Sequence, residues 1–247
     1  MFYGAEQAGI HHRAFGKLAA FAADDLLAKL ARSALPTGTV VDLGCGSGIL
    51  AGRLADAGYD TVGIDISADM VTLAQANAPT ARFTIGSLYG VELTPGSVGV
   101  AATGEALNYG VDPTAGLDAF EALAVRVHAA LVPNGWWIFD ISGPGRAGPT
   151  GTTKQFHRHE DWCLGMTATE SDTGERLDRQ ITIFVAEDDG AYRRVEEDHV
   201  LRLYDPTDVT AMLGRVGFDT AVRSDYPSAD VQLNLPGWYV VEARKST

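Results

Sequence analysis

An aspartate and three closely spaced glycines are the residues whose types and spacing most clearly indicate chemistry in this chain. Residues 42–48 read Asp-Leu-Gly-Cys-Gly-Ser-Gly; a short apolar run precedes them, and an apolar helical pattern that stops at Gly58 follows. A strand, a glycine turn and a helix in this order bring a backbone close to a nucleotide, with the helix N–H groups pointing outward. Glycine is needed there because a Cβ would block the approach and the turn requires unusual backbone angles.

A second acidic residue lies where a nucleotide site needs one. The apolar run from Thr61 to Ile64 ends at Asp65, which is 21 residues after Gly44. An acidic residue at the end of the second strand can accept hydrogen bonds from a ribose diol. Together the two segments predict a site for an adenosine-type cofactor.

The glycine spacing separates two classes of cofactor. A dinucleotide fingerprint G-x-G-x-x-G starting at Gly44 would place its third glycine at position 49, which is Ile49. The segment instead resembles the cofactor motif of class I S-adenosylmethionine-dependent methyltransferases, with Asp42 two residues ahead of G-x-G-x-G. The charges agree, because the methionine part of S-adenosylmethionine carries an ammonium and a sulfonium, which a carboxylate favours. We therefore expect S-adenosylmethionine as the cofactor.

The resemblance also implies a fold and a set of binding residues. It implies an α/β protein with a Rossmann-like sheet of seven strands, the last one antiparallel. In such a protein Ile66 and Met70 would flank the adenine ring, and Ser87 stands where the family usually has an acid that binds the adenine amino group. The expected cofactor-binding residues are Tyr3, His12, Asp42, Gly44, Cys45, Gly46, Asp65, Ile66, Met70, Ser87, Leu88 and Gly104.

Polar residues after the fourth predicted strand, Val98 to Ala102, are candidates to face the methyl acceptor. The carboxyl ends of parallel strands form the ligand crevice of such sheets. Glu105 could hydrogen-bond an amine or hydroxyl of the acceptor, and Asn108 and Tyr109 could orient it. The alternative is a solvated loop acid and a packing aromatic. Asp140, at the end of the fifth strand, could bind substrate, act as a base or cap a neighbouring loop.

The helices that position these residues have recognisable ends. A helix over residues 11–35 ends before Pro36, and the resemblance makes it a lid over the cofactor. Ser67 is a favourable N-cap for the helix that follows Asp65. The pairs Asp112-Pro113 and Asp205-Pro206 predict the starts of two later helices, the first of them running to about Leu131.

A break in composition divides the second half of the chain. Residues 143–153 contain four glycines and two prolines, and residues 155–204 then alternate in polarity between turn signals. This pattern predicts an inserted antiparallel β subdomain of about four strands. Five residues of the insert could face the acceptor, and a histidine among them would be the best general base because its ordinary pKa lies near neutrality. They are His157, which we take as the catalytic candidate, His159, Glu160, Trp162 and His199.

Three regions follow from these patterns. Residues 1–38 form the lid, residues 39–145 and 201–247 form the cofactor-binding domain, and residues 146–200 form the insert on the substrate side.

Composition limits the partners. There are 32 acidic against 19 basic residues and a formal charge of −13, which disfavours nucleic acid and anionic lipid. The two cysteines, Cys45 and Cys163, are too few for a disulfide framework or a zinc site, and no metal-ligand cluster is visible. No apolar run reaches membrane-spanning length, and the first residues lack the pattern of a signal peptide. We expect a cytoplasmic protein, monomeric or homodimeric, with a small-molecule partner.

The predicted function is methyl transfer from S-adenosylmethionine to a nitrogen or oxygen of a small molecule, in the EC 2.1.1 class. A hydroxyl acceptor would need a base such as His157 or Glu105, whereas an amine needs only to arrive deprotonated. Two alternatives remain open. One is an NAD(P)-dependent oxidoreductase, and the other is a non-catalytic cofactor-binding or scaffold protein, which would have the insert packed shut over the fourth-strand loop.

Overall fold

The computed structural model describes residues 5–187, 189–229 and 235–246, which form two β-sheets and five α-helices. The helices are α1 (Ala5–Arg32), α2 (Ile49–Asp56), α3 (Ala68–Asn77), α4 (Leu117–Ala130) and α5 (Pro206–Val216). The strands are β1 (Thr39–Leu43), β2 (Asp60–Asp65), β3 (Arg82–Ile85), β4 (Ser97–Ala102), β5 (Leu131–Ser142), β6 (Thr152–Arg158), β7 (Trp162–Glu170), β8 (Arg176–Ala186), β9 (Tyr192–Arg202), β10 (Phe218–Arg223) and β11 (Trp238–Lys245). Within these ranges no helix is both long enough and apolar enough to span a membrane.

The larger sheet has seven strands in the order β10-β11-β5-β4-β1-β2-β3. Strands β1 to β5 pair in parallel, whereas β11 runs antiparallel to both of its neighbours, β5 and β10. The central strands are apolar along their length because helices cover both faces of a parallel sheet, and all six residues of β4 are buried. This arrangement confirms the predicted Rossmann-like sheet with an antiparallel last strand.

The smaller sheet consists of β6, β7, β8 and β9 in sequence order, all paired antiparallel. Along β8 buried and more exposed residues alternate, as expected for a sheet that is covered on one face. The covered face carries Trp162, Leu164 and Ile183, which cluster with Ile10 of α1. The predicted antiparallel insert is therefore present, and its apolar face lies against the start of α1.

Helix α1 differs from the predicted lid in both length and position. It begins at Ala5 rather than at residue 11 and ends at Arg32, before Pro36. Leu26 and Leu30 are fully buried in a cluster with Val40 of β1. The C-terminal half of α1 is thus a core helix of the sheet, and its N-terminal part reaches the crevice.

The predicted helix starts have different outcomes. Ser67 caps α3, since its Oγ accepts a hydrogen bond from Met70 N at 3.2 Å. Asp205 caps α5, since its carboxylate accepts from Thr207 N at 2.7 Å. The prediction at Asp112-Pro113 was wrong, because α4 begins four residues later, at Leu117 after Gly116.

Strand β5 is irregular at its start. It begins at Leu131, and its pairing with β4 shifts register between Leu131 and Trp136, across the Pro-Asn-Gly segment at 133–135. Asn134 in this segment has a φ of 64°, a left-handed geometry that asparagine tolerates better than most residues.

Candidate active site

The glycine turn between β1 and α2 is built by backbone angles and contacts that require glycine. Gly44 and Gly48 have φ angles of 71° and 80°. A Cβ on Gly44 would lie 2.6 Å from the Cβ of Ala106, and one on Gly48 would lie 3.0 Å from Ala74. A Cβ on Gly46 would meet nothing within 4 Å, so this glycine leaves open space. The turn therefore presents bare backbone to the crevice.

The Asp65 carboxylate at the end of β2 is held by two backbone donors. Gly46 N donates to Oδ2 and Ser67 N donates to Oδ1, each at 2.8 Å. Burial raises the pKa of Asp65, and these N–H groups oppose the shift. Each carboxylate oxygen keeps a lone pair, so the side chain can still accept hydrogen bonds from two hydroxyl groups of a diol.

A pocket of about 90 Å³, open to solvent, lies above the glycine turn and Asp65. Among the predicted cofactor residues, eight line it: Gly44, Gly46, Asp65, Ile66, Met70, Ser87, Leu88 and Gly104. His11, Tyr109 and Asp112 are also in its wall. The pocket lies at the carboxyl ends of the parallel strands, where a nucleotide is expected in an open α/β sheet.

Ser87 forms a polar pair with Asp112, which sequence reasoning read only as a helix cap. The Ser87 hydroxyl donates to Asp112 Oδ2 and accepts from Tyr89 N at 3.0 Å. Asp112 Oδ1 in turn accepts from the backbone N and the hydroxyl of Thr114. Burial raises the pKa of Asp112, but its hydrogen bonds with Ser87 and Thr114 bring it below the ordinary value. The pocket thus has an ionised carboxylate beside Ser87.

A second pocket, of about 200 Å³, lies between the seven-stranded sheet and the insert. It shares His11, Gly104 and Tyr109 with the first pocket. The rest of its wall is largely apolar, with a few polar and charged side chains from the insert and from the loops after β4 and β5. That part of the wall is Ile10, Leu18, Glu105, Arg146, Thr153, Gln155, His157, Leu164, Met166, Ala168, Leu177, Arg179, Ile181, His199, Leu235 and Trp238.

Comparison with known proteins identifies one domain of the chain. Residues 40–135, from β1 into β5, match a family model described as a methyltransferase domain. This part of the chain is a methyltransferase domain, in agreement with the resemblance of its glycine motif to that of class I S-adenosylmethionine-dependent methyltransferases. S-adenosylmethionine is the cofactor of this methyltransferase.

Three similar proteins illustrate the likeness. A dTDP-3-amino-3,6-dideoxy-alpha-D-glucopyranose N,N-dimethyltransferase of Streptomyces fradiae is 25% identical over 213 residues, 81% of this chain and 77% of its own. The crystal structure of an S-adenosylmethionine-dependent methyltransferase from Clostridium acetobutylicum has a TM-score of 0.80 at 18% identity, over 98% of both chains. The amino pentose methyltransferase CalS10 of Micromonospora echinaspora, with S-adenosylmethionine bound, has a TM-score of 0.71 at 18% identity, over 99% of this chain and 98% of its own.

The buried carboxylate of Asp42 is also consistent with a cofactor that carries positive charge. Asp42 is 1% exposed and has no charged or side-chain partner among the described residues; the backbone N–H of Ala51 is the donor that acts on its carboxylate. Burial raises its pKa to about 7, and the charge of Asp65 contributes to the shift. An unpaired buried carboxylate favours a cation nearby, and S-adenosylmethionine carries two cationic centres.

Four of the predicted cofactor residues do not line the pocket. Asp42 lies behind the turn; Cys45 is buried, and its Sγ contacts Gly46 O at 3.8 Å. His12 Nδ1 lies 2.8 Å from Ser47 Oγ, so this histidine ties α1 to the turn. Tyr3 lies outside the described residues. It is the neighbouring His11 that reaches both pockets, and burial lowers its pKa to about 4, with His199 and His12 adding to the effect.

Glu105 is not placed to act as a base in the methyltransferase. Its carboxylate lies 2.6 Å from Arg179 Nη1 and 2.8 Å from Arg146 Nε, and it accepts a hydrogen bond from Ser142. Burial raises the pKa of Glu105, but the charges of Arg179 and Arg146 outweigh this and hold it well below its ordinary value. The carboxylate therefore stays ionised and bonded.

Asn108 and Tyr109 are neighbours in sequence with different roles. Asn108 is fully buried; its Nδ2 donates to Ser142 O at 2.7 Å and Arg202 O at 2.6 Å, and its Oδ1 accepts from Ser142 N at 3.0 Å. It joins the β4 loop to β5 and β9 and lines neither pocket, contrary to the prediction that it orients the acceptor. Tyr109 lines both pockets and packs edge-on against His199 at 5.6 Å.

Some of the polar residues predicted to face the acceptor from the insert line the second pocket, and others do not. His157 and His199 line the second pocket, and His199 Nε2 lies 2.8 Å from Glu197 Oε2. His159 stacks on Trp162 outside both pockets, and Trp162 belongs to the core of the insert. Of the predicted acceptor-side residues, the structure thus brings Glu105, Tyr109, His157 and His199 to one pocket.

Asp140 holds the loop that separates the two pockets. Gly104 N and Glu105 N donate to its carboxylate at 2.9 and 2.5 Å, and Tyr226 Oη donates at 2.7 Å. Trp238 Nε1 lies 3.3 Å away. Burial raises the pKa of Asp140 to about 6. Of the roles considered for Asp140, the structure supports loop capping.

Proposed function

We propose that the protein transfers the methyl group of S-adenosylmethionine to a nitrogen or oxygen of a small molecule held in the second pocket. The observation that carries the proposal is the junction between the two pockets, formed by His11, Gly104 and Tyr109. When bound, the cofactor supplies an electrophilic methyl group on a sulfonium. The protein's contribution is to position the acceptor in line with that methyl group and to exclude water, which can lower a barrier by up to roughly 7–11 kcal/mol.

The cofactor-side residues have distinct tasks in this proposal. Asp65 accepts hydrogen bonds from the ribose hydroxyls, and Ile66 and Met70 flank the adenine. The carboxylate of Asp112, bonded to Ser87, accepts from the adenine amino group. This last assignment explains how the site manages without an acid at position 87.

At the junction, Tyr109 and His11 contact the acceptor. Because its pKa is lowered to about 4, His11 is neutral near pH 7, and it can accept a hydrogen bond from an N–H or O–H group. An amine acceptor needs only to arrive unprotonated, whereas a hydroxyl needs a base, for which His157 is the candidate. Nitrogen acceptors are favoured by the two similar proteins whose names specify amino sugars.

The open second pocket weighs against the scaffold alternative, which predicted an insert packed shut over the β4 loop. Between the insert and that loop lies a pocket of about 200 Å³, which Glu105 of the loop and several residues of the insert line. The formal charge of −13 favours a small molecule over a nucleic acid as the partner.

Asp65→Ala is the first test of the proposal. We expect micromolar binding of S-adenosylmethionine and S-adenosylhomocysteine to the unmodified protein, weakened about 10- to 100-fold in the variant, because charge-assisted hydrogen bonds to the ribose are lost. Calorimetric titration measures this, with NADH as a third ligand. Asp60→Ala is the matched control, since Asp60 lies on the same strand but is exposed and paired with Arg82.

Circular dichroism on each variant separates loss of binding from loss of folding. Binding of NADH alone, or of none of the three ligands, would contradict the proposal. Once binding is established, methyl transfer is measured with radiolabelled S-adenosylmethionine against a panel of amines and phenols.

A further inference from the structure

We infer that the methyl acceptor is an amine or alcohol with an apolar body about the size of a single six-membered ring, held against the insert in the second pocket. The inference deepens the proposed function and rests on it, because it takes the second pocket as the acceptor site. The class of acceptor that it sets aside is one whose body carries many hydroxyl groups, such as an amino sugar.

The insert presents a row of apolar side chains to the second pocket. Leu164, Met166 and Ala168 are alternate residues of β7, so their side chains lie on one face of the sheet, and all three line the pocket. Ile181 of β8 stands opposite Met166 in the strand register and lines the pocket as well. Side chains at opposite positions of paired strands are in contact distance, so this part of the wall is a continuous apolar surface.

Helix α1 adds apolar side chains to the same wall. Ile10 and Leu18 both line the second pocket, and Ile10 belongs to one apolar cluster with Leu164 and Ile181. An apolar ring in this part of the pocket can thus contact side chains of the insert and of α1 at once. Its removal from water is favourable in proportion to the apolar area that is covered.

The charged side chains of the wall have partners within the protein, whereas the apolar row can make no such bonds. Arg146 and Arg179 lie 2.8 and 2.6 Å from the carboxylate of Glu105, and His199 Nε2 lies 2.8 Å from Glu197 Oε2. The apolar row has no hydrogen-bond donor to offer a ligand. Hydroxyl groups on a ring that packs against it would lose their bonds to water without replacement, which is unfavourable.

The volume of the second pocket limits the size of the body. It is about 200 Å³, and an apolar cavity of about 150 Å³ in another protein is enough to bind benzene. One ring with a short substituent therefore fits, and a second fused ring does not. The substituent carries the nucleophilic nitrogen or oxygen to the junction with the cofactor pocket, at His11, Gly104 and Tyr109.

The test compares neutral alcohols that differ only in their bodies. Cyclohexanol and myo-inositol share a six-membered ring but differ in hydroxyl groups, and decahydronaphthol has a second apolar ring. Each is titrated into the protein, both ligand-free and saturated with S-adenosylhomocysteine. We expect cyclohexanol to bind at least about tenfold more tightly than myo-inositol, and decahydronaphthol to bind no more tightly than cyclohexanol.

The methionines report which pocket each ligand enters. Met166 lines the second pocket, Met70 lines the cofactor pocket, and Met212 is buried in the main core. In protein labelled with ¹³C at the methionine methyl groups, cyclohexanol should shift the NMR signal of Met166, and S-adenosylhomocysteine should shift that of Met70. The signal of Met212 should stay in place with both ligands.

Two variants change the volume of the pocket in opposite directions. Ala168→Leu should weaken the binding of cyclohexanol about tenfold, because Ala168 is 2% exposed and a larger side chain takes up part of the pocket. Ile181→Ala should shift the ratio of affinities about tenfold toward decahydronaphthol, because it makes room for the second ring. A destabilised insert would weaken both ligands alike. Thr182→Ala is the control, since the next residue of β8 lies on the opposite face of the sheet.

The outcomes separate this inference from the proposed function. Equal affinity for cyclohexanol and myo-inositol, tighter binding of decahydronaphthol by the unmodified protein, an unchanged ratio in Ile181→Ala, or no shift of Met166 at millimolar cyclohexanol overturns the inference. If S-adenosylhomocysteine does not shift Met70 but cyclohexanol shifts Met166 with the expected preferences, the proposed function fails and the apolar site stands. If S-adenosylhomocysteine shifts Met70 and these preferences are absent, only the inference fails.

Discussion

In the proposed function, Asp112 takes the role that the family usually gives to an acid at position 87. The residue at 87 is a serine, and the carboxylate that faces the same part of the cofactor pocket comes from a loop 25 residues later. The hydroxyl of Ser87 and the backbone of Thr114 orient that carboxylate. An adenine amino group donates hydrogen bonds, whereas the oxygen at the same position of hypoxanthine accepts them, so Asp112 should distinguish the two bases.

Asp112→Asn should therefore reduce the preference of the cofactor site for adenine over hypoxanthine. We expect the ratio of dissociation constants between S-inosylhomocysteine and S-adenosylhomocysteine to fall by about 3- to 10-fold, because a charge-assisted acceptor becomes a neutral amide that can also donate. Competitive titration of both ligands measures the ratio. Asp118→Asn, at an exposed acid in the first turn of α4, should leave it unchanged. A ratio that is the same in both variants would remove Asp112 from adenine recognition.

Among the secondary-structure elements, helix α1 has two halves with different contacts. Its C-terminal half packs on the sheet, where Leu26 is fully buried and lies against Gly99 of β4. Its N-terminal half brings Ile10 to the insert and His11 to both pockets. The helix that was predicted as a lid is thus anchored by the core of the cofactor-binding sheet.

Leu26→Ala should lower the free energy of unfolding by about 2–4 kcal/mol, because it leaves a cavity between α1 and the sheet. Leu117→Ala is the matched control: Leu117 is 48% exposed, and its loss should change stability by less than about 1 kcal/mol. Urea denaturation followed by circular dichroism measures both. Equal effects of the two substitutions would show that the C-terminal half of α1 is not a core helix.

Some of these helices and strands could be predicted from the sequence, and others could not. Strands and caps whose signals are local were predicted correctly, among them the caps at Ser67 and Asp205. The Asp112-Pro113 signal has the same form, and the Asp112 carboxylate accepts from Thr114 N just as Asp205 accepts from Thr207 N, yet only a turn follows and α4 begins after Gly116. Asp112 also accepts a hydrogen bond from Ser87, a contact between residues distant in sequence that leaves no local pattern.

In the candidate site, too, features with a local sequence signal were predicted and contacts between distant segments were not. The cofactor side was largely predicted, because the glycine turn and Asp65 lie on consecutive strands and their spacing is fixed by the fold. The cluster of Glu105 with Arg146 and Arg179 joins three segments far apart in the chain, and no spacing signals it. Likewise, the sequence did not reveal that His11 rather than His12 faces the pockets, because the predicted helix began at residue 11, whereas α1 begins at Ala5 and contains both histidines.

At the scale of the whole molecule, several buried carboxylates make stability depend on pH. Burial raises the pKa values of Asp25, Asp42, Asp65 and Asp140, that of Asp42 to about 7 and that of Asp140 to about 6. An acid whose pKa is raised by folding binds more protons in the folded state, so its contribution to stability is full below the unfolded pKa and is lost as pH rises through the folded one. His11, whose pKa is lowered, acts in the opposite direction below its ordinary pKa.

A single substitution isolates the carboxylate contribution. Relative to the unmodified protein, Asp42→Asn should gain roughly 2 kcal/mol in free energy of unfolding between about pH 5.5 and pH 8, because an amide need not ionise. Denaturation of the ligand-free proteins at both pH values measures this difference of differences, in which the histidine contribution cancels. A gain that is independent of pH would show that Asp42 titrates outside this window.

The two pockets are lined largely by different sheets, which affects how the choice of methyl acceptor can change during evolution. The cofactor pocket is lined by the seven-stranded sheet, its loops and the start of α1, whereas much of the acceptor wall comes from strands of the insert. Only His11, Gly104 and Tyr109 belong to both sets among the described lining residues. Most mutations in the insert are therefore free to alter which molecule is methylated without a loss of cofactor affinity. Natural variation and directed evolution can explore new acceptors on this chain with few pleiotropic effects.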